Sequence, residues 1–215
     1  VLAALDATDA LKKAEAQNNE LINEIKALSE RCPVIYSGGG VVQGNASAQL
    51  TELAHVLGFP VTNTLMGLGA FPGDDPQFVG MLGMHGTYEA NMTMHNADVI
   101  LAIGARFDDR VTNNPAKFCP NAKIIHIDID PAAISKTIMA HIPIVGAVEP
   151  VLTEMLAQLK QLNVSKPNPE DIAAWWARID DWRKVHGLRY TELPNGEMRP
   201  QQVVAALDKL TNSEA

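Results

Sequence analysis

The strongest constraint on this sequence is a set of short, almost wholly apolar segments, each stopped by glycine and followed by residues at helical spacing. Val34-Ile35-Tyr36-Ser37 runs into Gly38-Gly39-Gly40, and Val99-Ile100-Leu101-Ala102-Ile103 runs into Gly104. Of the 15 glycines, 13 fall between Gly38 and Gly146. Strands that read as continuous apolar runs are buried on both faces, and alternation with helices demands a parallel sheet covered on either side. A residue without Cβ leaves backbone N–H groups open at a strand end, so glycines at several termini suit one long ligand lying across a sheet edge.

The expected order follows from periodicity and breakers. Residues 1–20 read as a linker or leading helix, and Leu21, Ile22, Ile25 and Leu28 share a helical face that Arg31-Cys32-Pro33 ends. Next come a strand at 33–37, a helix at about 45–57, a strand at 60–64, a loop rich in glycine and proline, and a helix at about 87–96. Strands at 98–103 and 123–129, a helix at about 131–139, a short strand at 142–146 and a helix at about 149–162 complete the pattern. The class is α/β. Past Leu162 the composition shifts to a loop, then to a polar helix from Pro169 to His186 whose Trp175, Trp176 and Trp182 make a narrow stripe suited to packing, then to a helix from Gln201 to Leu210. That last element opens as the sequence stops, as a cut chain would.

Composition narrows the function classes. With 17 Lys and Arg against 25 acidic residues, the net charge is −8 and no basic run is available to neutralise a phosphate backbone, so nucleic acid is not an expected partner. No apolar stretch reaches the roughly 18 residues of a membrane span, and Val1 to Glu20 is too acidic for a signal peptide. Cys32 and Cys119 lack metal-ligand spacing and read as reduced thiols of a cytoplasmic protein. No set of residues reads as a metal site or a Ser-His-Asp triad.

Five segments could carry ligand chemistry. The glycines at 38–40 follow a strand and precede a helix, which suits either phosphate held on backbone N–H groups or a plain tight turn. The G-x-G-x-x-G fingerprint fails at Gln43, no acidic residue closes the strand at Thr62 to Thr64, and no lysine follows as in a P-loop, so a nicotinamide-dependent enzyme is a poor reading. In His126-Ile127-Asp128-Ile129-Asp130-Pro131 the alternating carboxylates point to one side at a strand end: one can accept ribose hydroxyls while Asp130 caps a helix opened by Pro131. Gly104-Ala105-Arg106-Phe107-Asp108-Asp109-Arg110 offers guanidinium groups to a pyrophosphate or carboxylate, unless its Asp and Arg only pair with each other. Thr64 to Gly69 and Gly80 to Thr87 are apolar, Gly- and Met-rich loops that can line a flat aromatic ring or simply fill core.

Taken together, Ser37-Gly38-Gly39-Gly40, Leu65 to Pro72, Gly83-Met84-His85-Gly86-Thr87-Tyr88-Glu89-Ala90-Asn91, Gly104 to Arg110 and His126 to Asp130 closely resemble the middle domain of the acetolactate synthase large catalytic subunit. The match covers residues 21–162 and keeps five blocks in order. It implies a three-layer Rossmann-like domain of about six parallel strands, with residues 1–20 as linker and 163–215 as linker helices towards a thiamine-diphosphate domain. The resemblance implies FAD in an extended pose, retained without net redox chemistry, lined by Gly38, Gly39, Gly40, Thr64, Leu65, Met66, Gly67, Gly83, His85, Gly104, Arg106 and Asp128. Arg110, Asp109 and Met84 would face the substrate side, Arg110 suiting a 2-ketoacid carboxylate. The family's activating glutamate and its metal and diphosphate motif belong to neighbouring domains, so this piece is expected to be inactive alone. Thiamine diphosphate and Mg²⁺ would bind there, in a homo-oligomer (dimer or tetramer) with a possible small regulatory subunit. One departure stands out: the family commonly has an acidic residue after the glycine at 146, and here it is Ala147.

Overall fold

A computed structural model describes residues 32–161, 169–191, 193 and 196–212. The expected leading helix over 21–28 lies outside them. Six strands, β1 (Pro33–Ser37), β2 (Val61–Asn63), β3 (Phe78–Met81), β4 (Val99–Ile103), β5 (Lys123–Asp128) and β6 (Ile142–Val145), form one sheet in the order β3-β2-β1-β4-β5-β6. Every neighbouring pair is parallel. The chain therefore starts in the middle, winds outward to β3, returns past β1 and winds outward again, which puts a topological switch point between β1 and β4.

Helices α1 (Gly39–Gln43), α2 (Ser47–Leu57), α3 (Tyr88–Asn96), α4 (Asp109–Thr112), α5 (Val148–Gln161), α6 (Pro169–His186) and α7 (Pro200–Thr211) complete the described residues. One sheet face, with Ile35, Val61, Leu101, Ile103, Ile125 and Ile127, packs on Leu50, Leu53 and Leu57 of α2 and Leu152, Met155 and Leu159 of α5. The other, with Val34, Tyr36, Ile100, Ala102 and Ile124, packs on Met94 of α3 and on Phe107, Phe118 and Cys119. The three-layer α/β expectation holds, because strands sandwiched in this way need apolar residues at consecutive positions.

Two local expectations fail. The Gly- and Pro-rich stretch after Pro72 contains β3, a four-residue edge strand with one buried residue and Gly80 at φ +95 in its middle, too short and too interrupted to announce itself. Conversely, the helix expected at 131–139 is a series of turns. Asp130 does accept the N–H of Ala132 at 2.9 Å, but the cap bond closes a turn, and Ser135 stands at φ +58, outside helical geometry.

The tryptophan stripe is a packing device. α6 lies against α3 and β3, with Trp175 and Ile179 buried against Val79 and Ala90. Trp175 donates its indole N–H to the carbonyl of Pro33 at 3.0 Å and Trp176 to that of Gly58 at 2.9 Å. Arg183 donates to the carbonyls of Phe78 and Pro76 at 2.6 and 3.1 Å. These bonds pin α6 beside the edge strand and leave the C-terminal strand ends clear. α7 buries no residue among those described.

Candidate functional site at the C-terminal sheet edge

Beyond β1, β2, β4 and β6 the chain keeps the ladder for one more residue and then turns. Gly38 N–H donates to Ile103 O at 3.0 Å, Thr64 N–H to Ser37 O at 2.9 Å, Gly104 N–H to Ile127 O at 2.8 Å and Gly146 N–H to Asp128 O at 3.0 Å. Four strand ends thus finish on one edge, at the switch point where ligands of doubly wound sheets lie.

The glycines there have a duty before any ligand arrives. A Cβ on Gly38 would stand 2.2 Å from Gly104 O, one on Gly40 2.8 Å from Gly104 Cα, and one on Gly67 2.7 Å from Ser37 O. Gly104 is doubly required, since it sits at φ +54 and its Cβ would approach Gly40 Cα to 2.7 Å. Gly39 faces Met66, whose Cβ and carbonyl would lie 3.2 Å from a methyl there. Loops 38–40, 64–67 and 104–106 are therefore stacked backbone on backbone into a single rim.

The rim's chemistry is unfinished. Ser37 Oγ, both amide atoms of Asn63 and Thr64 Oγ1 are buried without a hydrogen-bond partner among the described residues. Buried polar atoms of this kind are rare and call for a water or ligand. Leu65 and Met66 on the 3-10 turn Leu65–Gly67 stand 69% and 73% exposed, with Met84 at 66%, an apolar surface beside that polar floor.

Residues 19–155 match the family model described as thiamine pyrophosphate enzyme, central domain. The chain belongs to that family. It is 53% identical over 192 residues to an acetolactate synthase large subunit of Buchnera aphidicola subsp. Schlechtendalia chinensis, covering 89% of this chain and 33% of that protein. It is 53% identical over 183 residues to the acetolactate synthase isozyme 3 large subunit of Escherichia coli K12, covering 85% and 32%. Identity to an acetolactate synthase of Mycobacterium bovis is 44% over 185 residues, covering 86% and 30%. The chain spans about a third of the length of these curated relatives.

Within this central domain a second cluster joins the first. Met84 N–H donates to Arg110 O at 3.2 Å, and Gly83, at φ +106, would bring a Cβ within 3.0 Å of that same carbonyl. Asn91 holds Gly83 from both sides, accepting its N–H at 3.1 Å and donating to its carbonyl at 3.0 Å. Met84 and Arg110 are consequently neighbours, and Arg110 Nε stands 3.9 Å from Asp109 with both side chains mostly exposed. Leu82 N–H reaches Asn63 O at 3.1 Å and ties this cluster to the end of β2. His85 is exposed.

The 104–110 loop is ordered from beneath, with Ala105 and Phe107 buried and Arg106 exposed between them. Asp108 caps α4 by accepting Arg110 N–H at 3.1 Å. A hydrogen bond with the Asp109 side chain and this backbone bond hold its carboxyl below the usual range. Asp128 is buried, accepts the N–H of Asp130 at 2.9 Å and lies 3.9 Å from His126, with acceptor sites left over. The adjoining Ala147 is exposed and brings no charge to that end of the rim.

Sequence reasoning did not single out Asn63, Ser37, Tyr36 or His126. For Tyr36, Ser37 and His126 the available signal was a polar residue beside apolar strand neighbours; Asn63, in the short polar strand Val61-Thr62-Asn63, carried none. No helix among the described residues is long and apolar enough to cross a membrane, and no group of three metal-ligating side chains occurs among them.

Proposed function

We propose that this chain is the FAD-binding central domain of an acetolactate synthase large subunit. The observation that carries the reading is the rim itself: four strand ends on one edge of a β3-β2-β1-β4-β5-β6 sheet, with unsatisfied polar atoms at Ser37, Asn63 and Thr64 beside exposed Leu65 and Met66. A long molecule with a polar diphosphate and a flat apolar ring matches both halves. Gly38 to Gly40, Thr64, Leu65, Met66, Gly67, Gly83, His85, Gly104, Arg106 and Asp128 would line it. Arg106 offers a guanidinium to phosphate oxygens, and Asp128 offers acceptors to ribose hydroxyls. Bound flavin would supply an isoalloxazine surface bordering the reaction space.

In the larger protein the reaction would be decarboxylation of pyruvate and condensation with a second 2-ketoacid, in branched-chain amino-acid synthesis. Arg110, flanked by Asp109 and Met84, would bind the carboxylate of the incoming ketoacid. Thiamine diphosphate and Mg²⁺ would be held by other domains of the large subunit, in a cytoplasmic homo-oligomer with a small regulatory subunit. Residues 21–162 would form the cofactor-binding unit, and 163–215 would lead on from it, with α6 docked on the way.

Titration of the 215-residue chain with FAD tests this reading. Flavin fluorescence is expected to be quenched on binding, with affinity reduced at least tenfold by Arg106→Ala, about the loss of one charge-assisted contact. Quenching by wild type that Arg106→Ala leaves unchanged, or no binding at all, overturns it.

A further inference from the structure

Beneath the 104–110 loop lies a row of three side chains that the cofactor reading does not use. Tyr36, Ala102 and His126 are in register across β1, β4 and β5 and point to the same face. The middle one is only a methyl group. Phe107 drops into the gap above it, its ring centroid 5.6 Å from that of Tyr36 and 5.3 Å from that of His126, tilted on the first and edge-on to the second. Phe118 closes the outer side at 5.9 Å.

The two flanking residues also grip the loop by its backbone. His126 Nε2 is 2.9 Å from Ala105 O, and Tyr36 donates its hydroxyl to Arg106 O at 3.3 Å. Because a carbonyl only accepts, the proton of His126 must sit on Nε2, and its buried Nδ1 has no partner among the described residues. Consecutive carbonyls just before Phe107 are therefore held by the same two residues that flank its ring. On either side, Arg106 and Arg110 are exposed.

We infer that Tyr36, Ala102 and His126 form a socket for Phe107 that positions Arg106 and Arg110 at the rim, making Tyr36 and His126 positioning residues for the cofactor and substrate contacts. This rests on the proposed function for its consequence and on packing alone for its mechanism. The bonds to Ala105 and Arg106 carbonyls and the ring contacts act on the same few residues, so loss of either frees the loop without dismantling a strand.

The test measures amide hydrogen exchange of the 104–112 segment in the 215-residue chain, alongside FAD titration. His126→Leu removes the donor and is expected to speed exchange there at least tenfold while the strands at 33–37 and 99–103 keep their wild-type protection. His126→Gln, whose amide reaches the same carbonyl, should restore protection to within about threefold. Tyr36→Phe keeps the ring and loses only the hydroxyl, and should fall between, at about three- to tenfold, the range of one hydrogen bond. Ala102→Leu fills the gap and should release the loop even with both donors present. FAD affinity should fall in the same rank order. Equal exchange in all four variants and wild type, or a Gln variant as unprotected as Leu, overturns the socket. Uniformly faster exchange throughout the sheet in Tyr36→Phe, the mildest change, overturns it as well. If wild type binds no FAD, the cofactor reading falls while the exchange pattern still decides the socket.

Discussion

The close stacking of glycine loops at the rim makes a graded prediction, because four glycines separate steric contact from backbone conformation. At Gly38, φ is −120°, an ordinary value, yet a Cβ would lie 2.2 Å from Gly104 O and 2.5 Å from Ala105 Cα. Both are backbone atoms, so a loop must move by about an ångström, and overpacking of that kind costs about 1–3 kcal/mol. Gly104→Ala adds to a 2.7 Å clash the φ +54 conformation, itself worth about 1–2 kcal/mol, for roughly 2–5 kcal/mol together. Gly69 has open space but φ +90, and Gly73 has open space at an ordinary φ. Gly69→Ala should therefore cost about 1–2 kcal/mol, and Gly73→Ala should be neutral or stabilising by up to about 1 kcal/mol. Urea denaturation of the four variants reads these differences, and a loss of about 3 kcal/mol corresponds to a melting shift of roughly 6–12 °C for a chain of this size. FAD affinity should fall for Gly38→Ala and Gly104→Ala and hold for Gly73→Ala. Equal midpoints for Gly38→Ala and Gly73→Ala would show that the β1 and β4 loops do not touch as described.

Burial lowers the pKa of His126, against smaller upward pulls from Ala105 O and Asp128. The unfolded chain then binds a proton that the folded one refuses, so stability should decline as pH falls below about 6.5 towards the folded-state value. His126→Gln should lose that decline, which is bounded by about 1.4 kcal/mol per pH unit; identical pH profiles from urea melts would contradict it. Trp175 is 2% exposed and its indole N–H reaches Pro33 O. Trp175→Ala should cost about 3–5 kcal/mol in calorimetry, and a value under about 1 kcal/mol would mean that α6 is not docked. Cys119 is 4% exposed with its thiol pushed up to about 12 by burial. It should react with a disulfide reagent only on unfolding, whereas Cys32, only half-buried, should react first; the reverse order would contradict the assigned burial.

Much of this architecture is written locally. Strands β1, β4 and β5 are legible because a strand covered on both faces carries apolar residues at consecutive positions, and glycine marks where β1 and β4 end. Helices α2, α3, α5 and α6 follow from apolar spacing and breakers, and the blocks at 37–40, 83–91, 104–110 and 126–130 single out the strand ends that the fold brings to one edge. Strand β3 was not legible, since an edge strand borrows its definition from a neighbour: Thr62 Oγ1 donates to Gly80 O at 2.8 Å, and β2 supplies the ladder. The turns at 131–140 fail in the opposite sense, a segment of adequate spacing that buries only Ile138 and is broken by Ser135 at φ +58.

The α/β class, the central strands and the segments that reach the rim follow from residue order alone, because those depend on patterns read within a few residues. That Gly38, Gly40 and Gly104 are small for one another's sake is visible only once the chain is folded. Folding alone puts Tyr36, Ala102 and His126 in one row under Phe107. Both facts depend on register between strands far apart in the chain, and register is set by packing of the whole sheet, which no local pattern contains.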